Sequence, residues 1–141
     1  MAALIERDGM LLVVQQHARG EGGVHDGPLY LTPPGGGVEP GESPVDAVVR
    51  EVAEEVGLTV IAADELVTLA HTGGSTTLFV AQTALGEPML GVDPDLECEC
   101  PRLVGLEWIP APPRGAWLAA DAARMLKIPA ALRAGEKPLS A

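Results

Sequence analysis

The segment Gly36–Leu58, GGVEPGESPVDAVVREVAEEVGL, constrains the fold more than any other part of the chain. It carries its own helix boundaries. Ser43 suits an N-cap, Pro44 the first helical position, and Asp46 sets a carboxylate against the free N–H groups of the first turn. Gly57 suits the left-handed position that ends a helix. These signals predict a helix over 44–56.

That helix holds Glu51, Glu54 and Glu55 within five residues. At roughly 100° per residue the three fall on one face, beside a stripe of Val45, Val48, Val49, Val52 and Val56 that is expected to pack on a sheet. Arg50 reaches Glu54, but Glu51 and Glu55 are like charges four apart, which costs a few tenths of a kcal/mol in water. The valines weaken the helix further. A solvated acidic face is the ordinary reading of such charges. A divalent cation explains their crowding better, because hard carboxylate oxygens suit Mg²⁺ or Mn²⁺.

Charge bounds the partners. The 141 residues carry a formal net charge of −11, which repels a phosphate backbone and disfavours DNA or long RNA. The sequence has no apolar run of membrane-spanning length and no signal peptide pattern, so a cytoplasmic protein and no membrane partner are expected. Cys98 and Cys100 are too few for a disulfide framework, and with His17, His25 and His71 scattered they do not make a zinc site.

The chain reads as a single domain, 1–141, with 133–141 a frayed tail. Apolar runs flank the turn RDG as a hairpin, and HARGEGGVHDGP reads as a loop of functional length. LYLT is a short strand entering the glycines. One or two strands lie in LTVIAADELVTLAH, another in STTLFVAQT, and the last in RLVGLEWI. The Ala-rich AWLAADAARMLK predicts a second helix. The order implies an α/β fold, a mixed sheet with helices on its faces.

The quoted segment resembles the Nudix box, G-x5-E-x7-R-E-U-x-E-E-x-G-U, where U is a bulky aliphatic residue. Gly36, Glu42, Arg50, Glu51, Val52, Glu54, Glu55, Gly57 and Leu58 fill every constrained position. The resemblance implies a Nudix α/β/α sandwich, a mixed sheet flanked by the box helix and a C-terminal helix. It implies Mg²⁺-dependent hydrolysis, with Mn²⁺ able to substitute, of a pyrophosphate bond in a nucleoside diphosphate linked to a group X. It makes Glu54 and Glu55 metal ligands and Glu51 a metal ligand or the base that activates water. The Gly36 carbonyl completes the coordination, Arg50 orients a box carboxylate, and Glu42 is structural. A further acid downstream is implied, with Glu99 preferred over Glu97. Family members are often homodimers.

Metal-assisted phosphoryl chemistry needs charge neutralisation and an aligned nucleophile, and glycines Gly35, Gly36 and Gly37 let backbone approach the phosphates. Tyr30, just before them, is the best placed aromatic for stacking a base, and Arg19 in the long loop is a candidate phosphate contact. X stays open among a nucleotide sugar, ADP-ribose and a nucleoside triphosphate. The competing class is a nucleotide-sensing module that keeps the fold without the chemistry.

Overall fold

Turn chemistry starts the fold. Asp8 and Gly9 both have positive φ, 51° and 77°, the mirror-image turn whose twist matches a hairpin. The computed structural model describes residues 1–17, 27–91 and 103–130. The strands are β1 (Ala2–Leu4), β2 (Glu6–Arg7), β3 (Met10–His17), β4 (Leu29–Thr32), β5 (Val60–His71), β6 (Gly74–Thr83), β7 (Leu103–Pro110) and β8 (Ile128–Pro129), with one α-helix, α1 (Pro44–Val56), among the described residues.

The strands form two sheets. In the mixed one, β6 lies between β1, which it meets in parallel with Ala2 opposite Leu78, and β5, which it meets antiparallel. In the other, β3 is central and antiparallel to β2, β4 and β7, and β8 lies beyond β4. The first expected strand therefore divides between the sheets: Ala2–Leu4 joins β6, and Glu6–Arg7 joins β3.

Period-two alternation explains the core. Leu12 and Val14 of β3 join Ala3, Ile5 and Phe79 under α1, while Leu11 and Val13 join Ala2, Leu4, Leu31 and Trp117 on the other side. The result is a mixed α/β fold with few helices. Among the described residues no helix is long and apolar enough to cross a membrane.

The caps of α1 fall where the sequence puts them. The Ser43 hydroxyl accepts from the Asp46 N–H at 3.1 Å, and Gly57 takes a φ of 67°. The expected valine stripe is narrower. Val48, Val52 and Val56 are fully buried, but Val45 and Val49 are 43% and 41% exposed. Ala47 and Glu55 complete the buried face, so its centre is turned toward the glutamates.

The expected C-terminal helix is not formed. AWLAADAARMLK lies instead in two short 3-10 helices, Arg114–Leu118 and Ala122–Leu126. Between them Ala119 is extended, with φ −74° and ψ 155°. Burial of Trp117 and Ala122 in the second cluster bends the segment over the sheet, and that packing outweighs alanine's helix propensity. The expected frayed tail, 133–141, lies outside the described residues.

Candidate active site

Arg50 organises the box. Its Nε donates to Glu42 Oε2 at 2.8 Å and its Nη2 to Glu42 Oε1 at 3.0 Å. The same guanidinium donates to Glu51 Oε1 at 2.9 Å, Glu54 Oε2 at 3.3 Å and the Gly37 carbonyl at 2.9 Å. Glu39 stands 3.7 Å away. The Arg50 hydrogen bonds, with a backbone N–H from Glu39 after them, pull the Glu42 carboxyl down from its ordinary 4.5 to about 2. Arg50 is held still more firmly charged, chiefly by Glu42. Through these bonds Arg50 holds Glu42, Glu51 and Glu54 to one another.

The three box glutamates differ in exposure. Glu55 is only 4% exposed and accepts from the Gly35 N–H at 3.4 Å. The Glu51 side chain is 14% exposed and that of Glu54 37%. Glu51 lies against Gly36 so closely that a Cβ there would collide with its carboxylate. The glycine is what lets this carboxylate reach the loop backbone.

The N-terminal strand braces the loop. Gly36 N–H donates to the Met1 carbonyl at 3.0 Å, and the Met1 ammonium donates to the Gly36 carbonyl at 2.8 Å. That ammonium is lowered from its ordinary value of 8.0 by burial, against an opposing pull from Glu51. A Cβ on Gly35 would strike Met1 and Ala2 backbone.

A cleft of about 900 Å³ opens beside the box, lined by Tyr30, Gly35, Gly36, Gly37 and Glu55 among others. Tyr30 is fixed at both ends: its hydroxyl accepts from Gln16 Nε2 at 2.8 Å, and the Lys127 ammonium stands 4.4 Å from its ring centroid. The opposite rim comes from the β5–β6 hairpin, with His71, Thr72 and Ser75. His71 bonds the Thr76 hydroxyl at 2.8 Å and accepts from the Gly73 N–H at 3.3 Å.

The structure thus gathers Gly37, Glu42, Glu51 and Glu54 around the Arg50 guanidinium, sets Gly36 against Glu51, and brings Gly35, Glu55 and Tyr30 to the same cleft. Arg19, Glu97 and Glu99 lie outside the described residues. Lys127 and Gln16 also line the cleft, and no motif in the sequence marks either. An isolated lysine in RMLKIP carries no local signal, and only the pairing of Tyr30 with Pro129 brings it to the cleft.

The box donors suit a hard divalent cation by type, all oxygen and set beside a backbone without Cβ. Among the described residues, however, no three His, Cys, Asp or Glu side chains converge on a metal position as they stand. Two of the carboxylates are turned to Arg50 instead.

The NUDIX domain model matches residues 1–124 of the chain. The chain belongs to the NUDIX family. Solved structures agree with that membership. A MutT NUDIX hydrolase from Burkholderia pseudomallei shares 29% identity at a TM-score of 0.58, over 79% of this chain and 84% of its own. A NUDIX hydrolase from Nitrosomonas europaea shares 29% at 0.52, over 76% and 68%. The E. coli ORF135 protein shares 25% at 0.57, over 89% and 81%. No curated protein sequence matches. As a Nudix hydrolase the chain is an enzyme acting on a pyrophosphate bond, and Nudix enzymes generally use divalent metals.

Proposed function

We propose that this Nudix hydrolase cleaves the pyrophosphate bond of a small nucleotide, a nucleoside diphosphate linked to X, using Mg²⁺ with Mn²⁺ able to substitute. The observation that carries the reading is the shared wall: Gly36, Gly37 and Glu55 belong both to the box and to the cleft, and Gly35, next to the box, lines the cleft with them. A ligand in that cleft lies against the same backbone that Glu51 touches.

Glu51, Glu54 and Glu55 would hold the ion. When bound, it supplies neutralisation of phosphate charge and a water of lowered pKa. The chain's own residues do the rest. Arg50 presents Glu51 and Glu54 side by side and screens their repulsion. Glu51, which lies against Gly36, would accept a proton from the attacking water where it does not bind the ion itself. The glycines admit phosphate oxygens close to the backbone. The net charge of −11 favours a small metal-borne nucleotide over a long nucleic acid.

The deciding measurement is product release from a panel of nucleotide sugars, ADP-ribose and nucleoside triphosphates, with Mg²⁺ and then with EDTA. Turnover of at least one class that EDTA abolishes is expected. Binding without turnover across the panel refutes the catalytic reading in favour of a sensor.

A further inference from the structure

The acidic chain must accept a polyanion, and its box cation is already committed. Arg50 is shared among Glu39, Glu42, Glu51 and Glu54. Of the described side chains lining the cleft, Lys127 is the one with a permanent positive charge. Among the described residues no carboxylate lies within ion-pair distance of it, and its contact is the Tyr30 ring, 4.4 Å from ammonium to centroid. Tyr30 cannot turn away freely, because Gln16 holds its hydroxyl.

We propose that Lys127 is the phosphate-gripping, specificity-determining residue of the cleft, and that it leaves the Tyr30 ring to do so. This rests on the nucleotide reading above. A cation over a ring at an exposed site is a weak contact, whereas an ammonium on phosphate is a charge-assisted hydrogen bond with two full charges. Lysine suits the exchange: a flexible four-carbon stem carries three donors between two partners. Moving it also takes the cation off the Tyr30 ring, an aromatic surface of the kind that stacks the flat heterocycle of a nucleotide. Phosphate and base are thus taken together, and each half favours the other. Substrates with an anionic group beyond the diphosphate held at the box gain most, so a nucleoside triphosphate is preferred over a sugar-linked diphosphate.

The test uses the full chain and two probes in calorimetry, a non-hydrolysable nucleoside triphosphate with Mg²⁺ and the uncharged nucleoside, with a non-hydrolysable nucleotide sugar as a comparison for the triphosphate. Lys127→Ala should weaken the triphosphate analogue by about tenfold. It should leave nucleoside binding unchanged or tighter, because the nucleoside carries no charge for the ammonium to meet. Lys127→Arg should restore most of the triphosphate affinity. For any triphosphate that is turned over, the loss should appear in KM with kcat changed less than about twofold. Equal weakening of both probes means a structural role and overturns the proposal, as does unchanged triphosphate binding in Lys127→Ala. Stronger loss with a nucleotide sugar than with the triphosphate overturns the specificity claim. If the panel shows no hydrolysis but the split between the two probes holds, the catalytic reading fails and this one stands.

Discussion

Arg50 and Glu42 meet fork to fork, with two hydrogen bonds of 2.8 and 3.0 Å joining guanidinium and carboxylate. The pair ties the helix to the loop before it, and it leaves Nη1 for Glu51 and Glu54. A lysine ammonium could neutralise these acids but lacks the planar fork that meets the Glu42 carboxylate with two parallel hydrogen bonds. Arg50→Lys is therefore expected to lower kcat/KM by about 10–100-fold, the range for losing a group that orients metal ligands. A steady-state assay at saturating Mg²⁺ reads it, and near-normal turnover would remove Arg50 from its orienting role.

Glu54 is the most exposed of the three box glutamates, with its side chain 37% accessible. Its charge is thus dispensable for folding and costly only if it serves a metal. Glu54→Gln should cut turnover by about 100-fold or more while changing stability within about 0.5 kcal/mol. Turnover and thermal unfolding of the same preparation separate the two effects. Unchanged turnover would refute the ligand role.

Local chemistry was legible in the sequence, and the tertiary neighbour was not. Ser43, Pro44 and Gly57 act within one turn of the chain, so the bounds of α1 could be read directly. The helical spacing put Val48, Val52 and Val56 on one buried stripe, but it also placed Val45 and Val49 there, which are exposed, and grouped Glu55, which is buried, with the more exposed Glu54. It could not say where the rest of the protein would press. The buried arc is centred nearer Glu55 because Gly35 and Gly36, lacking side chains, let the loop lie against that side of the helix, which leaves Val45 and Val49 at the edge. The alanine-rich segment failed as a helix for a related reason. Its propensity is local, but the burial of Trp117 and Ala122 under the second sheet is not. Lys127 joins the cleft only through strand pairing across about 100 residues of sequence, Tyr30 with Pro129.

Gly35 and Gly36 offer a sharper contrast, since an added methyl meets different things. At Gly36 it meets the Glu51 carboxylate, the far end of a flexible side chain that can move aside. At Gly35 it meets Met1 and Ala2 backbone, including the Ala2 Cα at 2.8 Å, and β1 would have to shift. Gly35→Ala should cost about 1–3 kcal/mol of stability through overpacking. Gly36→Ala should keep the fold and lose turnover, because Glu51 no longer reaches the loop. Denaturant unfolding with a parallel assay distinguishes them, and a Gly36→Ala enzyme of full activity would show that the Glu51 placement is not needed.

Acid sensitivity follows from the Arg50 clasp. The Glu42 carboxyl is held near 2 in the folded chain against an ordinary 4.5, first by its hydrogen bonds to Arg50. A carboxyl depressed by folding stabilises the native state in full above its ordinary value and loses that contribution as pH falls through the folded one. The difference in unfolding midpoint between wild type and Glu42→Gln should therefore be constant above pH 4.5, shrink as the pH falls toward about 2, and vanish below it. Taking the difference cancels the other carboxylates, which titrate in both chains. A gap that persists undiminished below pH 2 would mean that Glu42 acts through packing, and that the ion pair with Arg50 contributes nothing to holding the loop on the helix.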